Sequence, residues 1–130
     1  MTPPSIEHPL KGQRGLRRIV KAAGYSAQGL RAAWQHESAF RQEVVLSVFM
    51  LPAAWWLGDN WVERSLLIGT VLLVLALELM NSAVEAAVDR VSMDLHPLAG
   101  RAKDLGSAAV LMALLLCGGT WVGALCARFL

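Results

Sequence analysis

The chain has 130 residues, 55% of them hydrophobic, and a mean hydropathy of +0.46, which is apolar for a water-soluble domain. The length limits it to one small domain, and three membrane-spanning helices would use most of it. The net charge of +2 carries little information by itself; its distribution matters more, and no nucleic-acid partner is expected. Cys117 and Cys126 lie nine residues apart on opposite faces of one apolar segment. They cannot pair there and have no His at metal-ligand spacing, so both read as core or lipid-facing residues.

Residues 1–15 carry three prolines and two glycines, with neither an apolar period nor the apolar core of a signal peptide, and read as a flexible lead. From Leu16, the residues Leu16, Ile19, Val20 and Ala23 fall at helical spacing, with Arg14, Arg17, Arg18 and Lys21 over the other faces. That pattern predicts a short basic amphipathic helix lying on an anionic membrane surface. The stretch GYSAQG (24–29) reads as a hinge, followed by a second interfacial helix over about 30–43.

A first spanning segment is expected over about 44–58. It is short for a bilayer unless its helix continues from the interfacial segment, and Pro52 is placed to kink it. A brief polar turn, 59–64, leads into a second span over about 65–84 that continues past Glu85. Residues 94–97 read as a loop, with Pro97 suited to the first turn of a third helix that spans over about 107–126.

Seven Lys or Arg precede the first span, the 59–64 turn holds one, and Arg90, Arg101 and Lys103 flank the second loop. The positive-inside rule then puts the N-terminus and that loop in the cytoplasm and the C-terminus in the periplasm. Trp55, Trp56, Trp61 and Trp121 would lie near the outer interface and Trp34 near the inner one.

Within this greasy frame, Glu78, Asn81, Glu85 and Asp89 follow the apolar run LLIGTVLLVLAL (66–77). Steps of three, four and four place them on one helical face, with Glu85 roughly 10 Å beyond Glu78 along the axis. Carboxylates at membrane depth are costly, which makes such residues functional candidates. Glu37, Glu43, Glu85, Asp89, Asp94 and Asp104 would share the cytoplasmic surface with Arg18, Lys21, Arg31, Arg41, Arg101 and Lys103.

Carboxylates beside cations suit phosphoryl transfer from a nucleotide: the first hold Mg²⁺, the second neutralise phosphate oxygens. The same pieces also admit plainer roles. The basic helix can be a topology anchor, Asn81 and Ser82 interhelical glue, Gly119-x-x-x-Gly123 a packing motif, and Glu78 the site of a small proton-coupled transporter. The sequence holds neither a Walker A pattern nor GxGxxG. Taken alone, the residues leave a membrane-surface phosphotransferase and a small transporter open.

Four blocks in order carry a resemblance that separates these: RIVKAAGYSAQGLRAAW (18–34), ESAFRQE (37–43), ELMNSAVEAAVDR (78–90) and GRAKDLGSAAVL (100–111). They resemble the integral-membrane diacylglycerol kinases of proteobacteria. The resemblance implies an all-α integral-membrane fold of three transmembrane helices, preceded by an amphipathic interfacial helix and assembled as a homotrimer with sites shared between subunits. Residues 16–130 would form this membrane domain. It implies ATP- and Mg²⁺-dependent phosphorylation of sn-1,2-diacylglycerol to phosphatidic acid at the cytoplasmic face of the inner membrane. The undecaprenol kinases, a related branch, are the alternative.

By the same resemblance, Glu78 is the general base, and Glu37 and Glu85 are Mg²⁺ ligands that also touch ATP. Arg18, Tyr25, Asp94, Leu95, His96, Lys103 and Asp104 fall at nucleotide-binding positions. Arg18, Arg31, Ala32, Ala33, Trp34, Ala39, Phe40, Arg41, Gln42, Glu43, Glu78 and Ser107 would meet the lipid substrate, and Asn81 and Asp89 would support the site. The chain departs from the family pattern at Pro97 and Asp94, where Glu is common, and at Ala27, where Trp is common.

Overall fold

Arg14 is extended and caps the first helix, and Gly15, its first residue, takes a φ of 65°, a left-handed conformation that glycine adopts without strain. The computed structural model describes residues 14–91 and 93–130, so the lead expected over 1–15 lies outside the described residues except for Arg14 and Gly15. The described residues form four helices: α1 (Gly15–His36), α2 (Ser38–Leu57), α3 (Trp61–Val91) and α4 (Pro97–Phe129).

The first helix corrects the expected hinge. Residues 24–29 continue α1 without a break. Gly24 and Gly29 each cost roughly 1 kcal/mol against Ala, which lowers helix stability but does not end a helix whose flanks keep the period. The Ser26 hydroxyl folds back to the Ala22 carbonyl at 3.0 Å and leaves the backbone ladder intact.

The break falls instead at Glu37, which is extended (φ −116°, ψ 104°). The Arg41 guanidinium fixes it there by donating to the Trp34 carbonyl at 2.8 Å and the Gln35 carbonyl at 3.1 Å. Two of the last carbonyls of α1, which have no helical partner, are thereby satisfied. The expected interfacial helix over 30–43 is therefore divided, its first part ending α1 and its second beginning α2.

The α2–α3 connection is shorter than the predicted polar turn, residues 58–60, and α3 starts at Trp61. Asn60 Oδ1 accepts from Glu63 N at 3.0 Å, and Glu63 Oε2 accepts from Asp59 N at 2.8 Å. This reciprocal cap satisfies backbone donors at the helix start and draws residues 61–64 into the helix. At the other end of α3, Pro97 opens α4 as predicted, and His96 caps it through Nδ1, which accepts from Leu98 N at 3.0 Å.

Two helices, α3 and α4, are long and apolar enough to cross a membrane. They pair over most of their length, and α2 packs on α3. One core cluster gathers Val71, Val74, Ala113 and Cys117 against Met50 and Leu51; a second gathers Ala54, Leu57 and Leu67. Cys117 belongs to this core and Cys126 is exposed, both as free thiols.

Trp121 bridges the clusters, and its indole N–H donates to the Leu67 carbonyl and the Thr70 hydroxyl, both at 3.3 Å. At the same end of the bundle Arg64 stacks on Trp55 and Arg128 on Trp56, with ring-centroid distances of 4.7 and 4.3 Å. Gly119 and Gly123, read as a packing motif, face open space within this single chain.

α4 approaches α3 closely at Gly106. A Cβ built there would fall on Asn81 Oδ1, whereas one at Gly69 would meet nothing. Gly106→Ala should therefore lower unfolding stability by about 1–3 kcal/mol through forced overlap. Gly69→Ala should gain up to about 1 kcal/mol from helix propensity. Unfolding of both variants in mixed micelles against the unaltered chain measures the difference.

Candidate active site

The polar stripe of α3 is met residue by residue from the neighbouring helices. Glu78 is buried, 8% exposed, in a surround otherwise made of apolar helix. Its carboxyl and that of Glu43 on α2 interact across the α2–α3 packing. Glu85 and Glu37 both act electrostatically on Glu78, so the stripe and the α1–α2 junction converge on one acidic locus.

One turn on, the Asn81 amide donates to Glu85 Oε1 at 3.3 Å, while its own Oδ1 is buried against Gly106 without a hydrogen-bond partner. Asn81 thus orients a carboxylate within its own helix as well as touching α4. The stripe ends in an ion pair across the hairpin, with Lys103 Nζ 2.8 Å from Asp89 Oδ1. This bond pushes the Lys103 ammonium up from its ordinary value and keeps it charged.

The expected nucleotide positions separate into two groups. Asp94, Leu95, His96 and Lys103 line one cavity of about 440 Å³ together with Asp89 and Pro97. The short α3–α4 loop and the first turns of α4 enclose it, where the helix N-terminus and Lys103 both favour phosphate. Arg18 and Tyr25 are exposed on α1, Asp104 is exposed on α4, and none of the three lines this cavity.

Glu37 lines a separate cavity of about 710 Å³ between α1 and α3, together with Ser26, His36 and Ser82. Among the positions expected to meet lipid, Trp34, Arg41 and Gln42 line a groove of about 610 Å³ with Val45, Leu46 and Phe49. Ala33 and Phe40 are buried, whereas Arg31, Ala32, Ala39 and Ser107 are exposed.

Two features had no clear signal in the sequence. Gly106 lies within the quoted block GRAKDLGSAAVL, but nothing in spacing marks it as the contact for Asn81. Arg41 is expected from the sequence to meet lipid, and only the fold shows its guanidinium committed to the end of α1.

Among the described residues no cluster of three His, Cys, Asp or Glu could hold a metal by itself. Mg²⁺ in kinase sites is commonly held by one or two carboxylates plus substrate phosphates. Glu85, with one oxygen steadied by Asn81, and the half-buried Glu37 are carboxylates of the donor type such a metal takes.

The family model for prokaryotic diacylglycerol kinase matches residues 24–125. The chain belongs to this family. It is 53% identical over 107 residues to a diacylglycerol kinase of Escherichia coli strain K12, covering 82% of this chain and 88% of that protein. It is 52% identical over 113 residues to a diacylglycerol kinase of Pseudomonas aeruginosa, covering 87% and 92%. A diacylglycerol kinase of Helicobacter pylori strain 26695 is 43% identical over 117 residues, covering 90% and 91%. Membership in a diacylglycerol kinase family removes the transporter reading and leaves the stripe as part of a membrane kinase.

Lys103→Met keeps the length of the side chain and removes the cation from the α3–α4 cavity. If Lys103 meets the nucleotide, this should raise the KM for ATP about tenfold, the loss of about one charged hydrogen bond, with the KM for lipid little changed. Steady-state kinetics with each substrate varied in turn reads this directly.

Proposed function

We propose that this protein transfers the γ-phosphoryl group of ATP to the primary hydroxyl of sn-1,2-diacylglycerol, giving phosphatidic acid. The observation that carries the reading is Glu78: a buried carboxyl on an apolar helix, touching Glu43 and in the field of Glu37 and Glu85. A basic group at that depth can take a proton from a lipid hydroxyl, while the carboxylates nearer the helix end serve the nucleotide.

In this reading ATP enters the cavity at the α3–α4 loop, where Lys103 and the α4 N-terminus hold its phosphates. Glu37 and Glu85 would hold Mg²⁺, which would supply neutralisation of the phosphate charge that shifts in transfer. Diacylglycerol approaches laterally, and Glu78 takes the proton of its hydroxyl as the oxygen attacks the γ-phosphorus. The O–P bond to the lipid forms as the bond to the β–γ bridging oxygen breaks, and ADP leaves with the electron pair. Asn81 keeps Glu85 in place through its amide. Arg18 and Tyr25 reach the nucleotide from α1, and the residues around Trp34 and Phe40 guide the lipid headgroup.

The proposed setting is the inner membrane, with three spans (44–58, 65–84 and 107–126), the N-terminus in the cytoplasm and the C-terminus in the periplasm. The charge distribution supports this orientation. The α2 helix supports the first span because it runs unbroken from Ser38, which lengthens a segment otherwise short for a bilayer. A homotrimer with shared sites is proposed because so small a chain leaves Arg18, Tyr25 and Asp104 outside the cavity they would serve.

Glu78→Gln should lower kcat by 10²-fold or more while ATP·Mg²⁺ still binds, and Glu85→Gln should weaken that binding itself. Nucleotide titration beside a turnover assay with diacylglycerol separates the two. If Glu78→Gln abolishes ATP·Mg²⁺ binding as fully as Glu85→Gln, the base lies elsewhere. Faster turnover of undecaprenol than of diacylglycerol by the unaltered chain would replace the substrate.

Assembly has its own test. Mixing inactive Glu37→Gln and Glu78→Gln chains before reconstitution should restore part of the activity if those residues come from different subunits. A strictly monomeric active species would sink the shared site.

A further inference from the structure

The Asn81 amide is satisfied at one end only. Its nitrogen donates to Glu85 Oε1 at 3.3 Å, yet its Oδ1 is buried with no hydrogen-bond partner among the described residues. Leaving a buried acceptor unpaired costs about 1–3 kcal/mol, so such an atom in a folded protein calls for a reason. Turning the amide over does not supply a partner. Oδ1 would then face the Glu85 carboxylate, acceptor against acceptor, and the donor end would face α4.

What stands opposite Oδ1 is Gly106. A Cβ built there would overlap Asn81 Oδ1 and crowd Asn81 Cγ at 3.3 Å. The oxygen therefore occupies the space that a side chain would take, against glycine C–H groups that are weak donors at best. Gly106 differs in this from its neighbours on α4. At Gly100 and Gly118 a Cβ would meet nothing within 4 Å.

The absent side chain and the unpaired oxygen belong to one device. We propose that Gly106 is a positioning residue for the Glu85 carboxylate: by leaving room for Asn81 Oδ1, it keeps the donor end of the amide on Glu85 and so holds that carboxylate ready for the cation that accompanies ATP. The proposal rests on the reading of Glu85 as a metal-holding carboxylate. The bond from Asn81 to Glu85 lies within α3, but its direction is set from α4. A hydrogen bond to a charged oxygen is stronger than one between neutral groups, which offsets part of the cost of the unpaired Oδ1. Gly106 also follows Lys103 by three residues, the spacing of neighbours on one helical face. The face of α4 that pairs with Asp89 thus sets the amide as well, and a slide of α4 along α3 would loosen both contacts together.

The full chain in lipid nanodiscs tests this with Mn²⁺ and a non-hydrolysable ATP analogue, the bound metal being read by electron paramagnetic resonance. Gly106→Ala drives Oδ1 from its place, and Asn81→Ala removes the amide altogether. Each should weaken Mn²⁺ binding about tenfold, the loss of about one hydrogen bond to a charged group. In turnover, Gly106→Ala should raise the Mg²⁺ concentration for half-maximal rate by a similar factor and leave the KM for dioleoylglycerol unchanged.

The double variant Gly106→Ala/Asn81→Ala separates positioning from packing. A residue that acts only through the amide adds nothing once the amide is gone, so the double variant should bind Mn²⁺ as Asn81→Ala does. Independent effects would multiply to about a hundredfold and overturn the proposal, as would normal Mn²⁺ binding by Gly106→Ala. Should Gly106→Ala fail to fold, the double variant has no amide left for the added methyl to strike, and its comparison with Asn81→Ala still decides. Unchanged Mn²⁺ binding by Glu85→Gln would instead be the failure of the parent reading.

Discussion

The structure depends on how an apolar helix carries three carboxylates and an amide along one face. Left in hydrocarbon, each ionised group would be costly, and only partners on neighbouring helices make the arrangement tolerable. The partners are different at each level. Glu43 of α2 meets Glu78, Gly106 of α4 makes room for Asn81, and Lys103 of α4 pairs with Asp89. The packing of the bundle at this end is therefore also the assembly of its chemistry.

The compensation is graded along α3. At the deepest position the carboxyl of Glu78 has another carboxyl, that of Glu43, as its neighbour. Farther along, Asn81 offers an uncharged donor to Glu85 and leaves that carboxylate free for a cation. At the end, a full ion pair between Lys103 and Asp89 borders the loop cavity. In the proposed reading, proton transfer, metal holding and phosphate binding would follow one another along about 16 Å of helix, from residue 78 to residue 89.

The opposite end of the bundle has a different task. There the reciprocal cap of Asn60 and Glu63 shortens the α2–α3 turn, and Trp55 and Trp56 receive the guanidiniums of Arg64 and Arg128. Arg128 also reaches the Trp56 carbonyl at 3.4 Å and Asp59 at 3.5 Å. Aromatic rings with a polar edge belong at a membrane–water boundary. Stacked with arginines, they tie the end of α4 to the α2–α3 turn and fix the hairpin far from the site it supports.

The sequence by itself determined the helical class, the polar stripe, the Pro97 start of α4 and the blocks that place the chain in its family. Each of these is a local pattern: a 3.6-residue period, a residue with one backbone option, or an ordered motif. It could not place the end of α1, because glycines in GYSAQG weaken a helix without ending it, while the actual break depends on Arg41 reaching back six and seven residues. Nor could it show that Glu43 meets Glu78, that Gly106 yields to Asn81, or that Arg18 and Tyr25 stand outside the loop cavity. Those are contacts between residues far apart in the chain, and only the packing of α2 and α4 against α3 decided them.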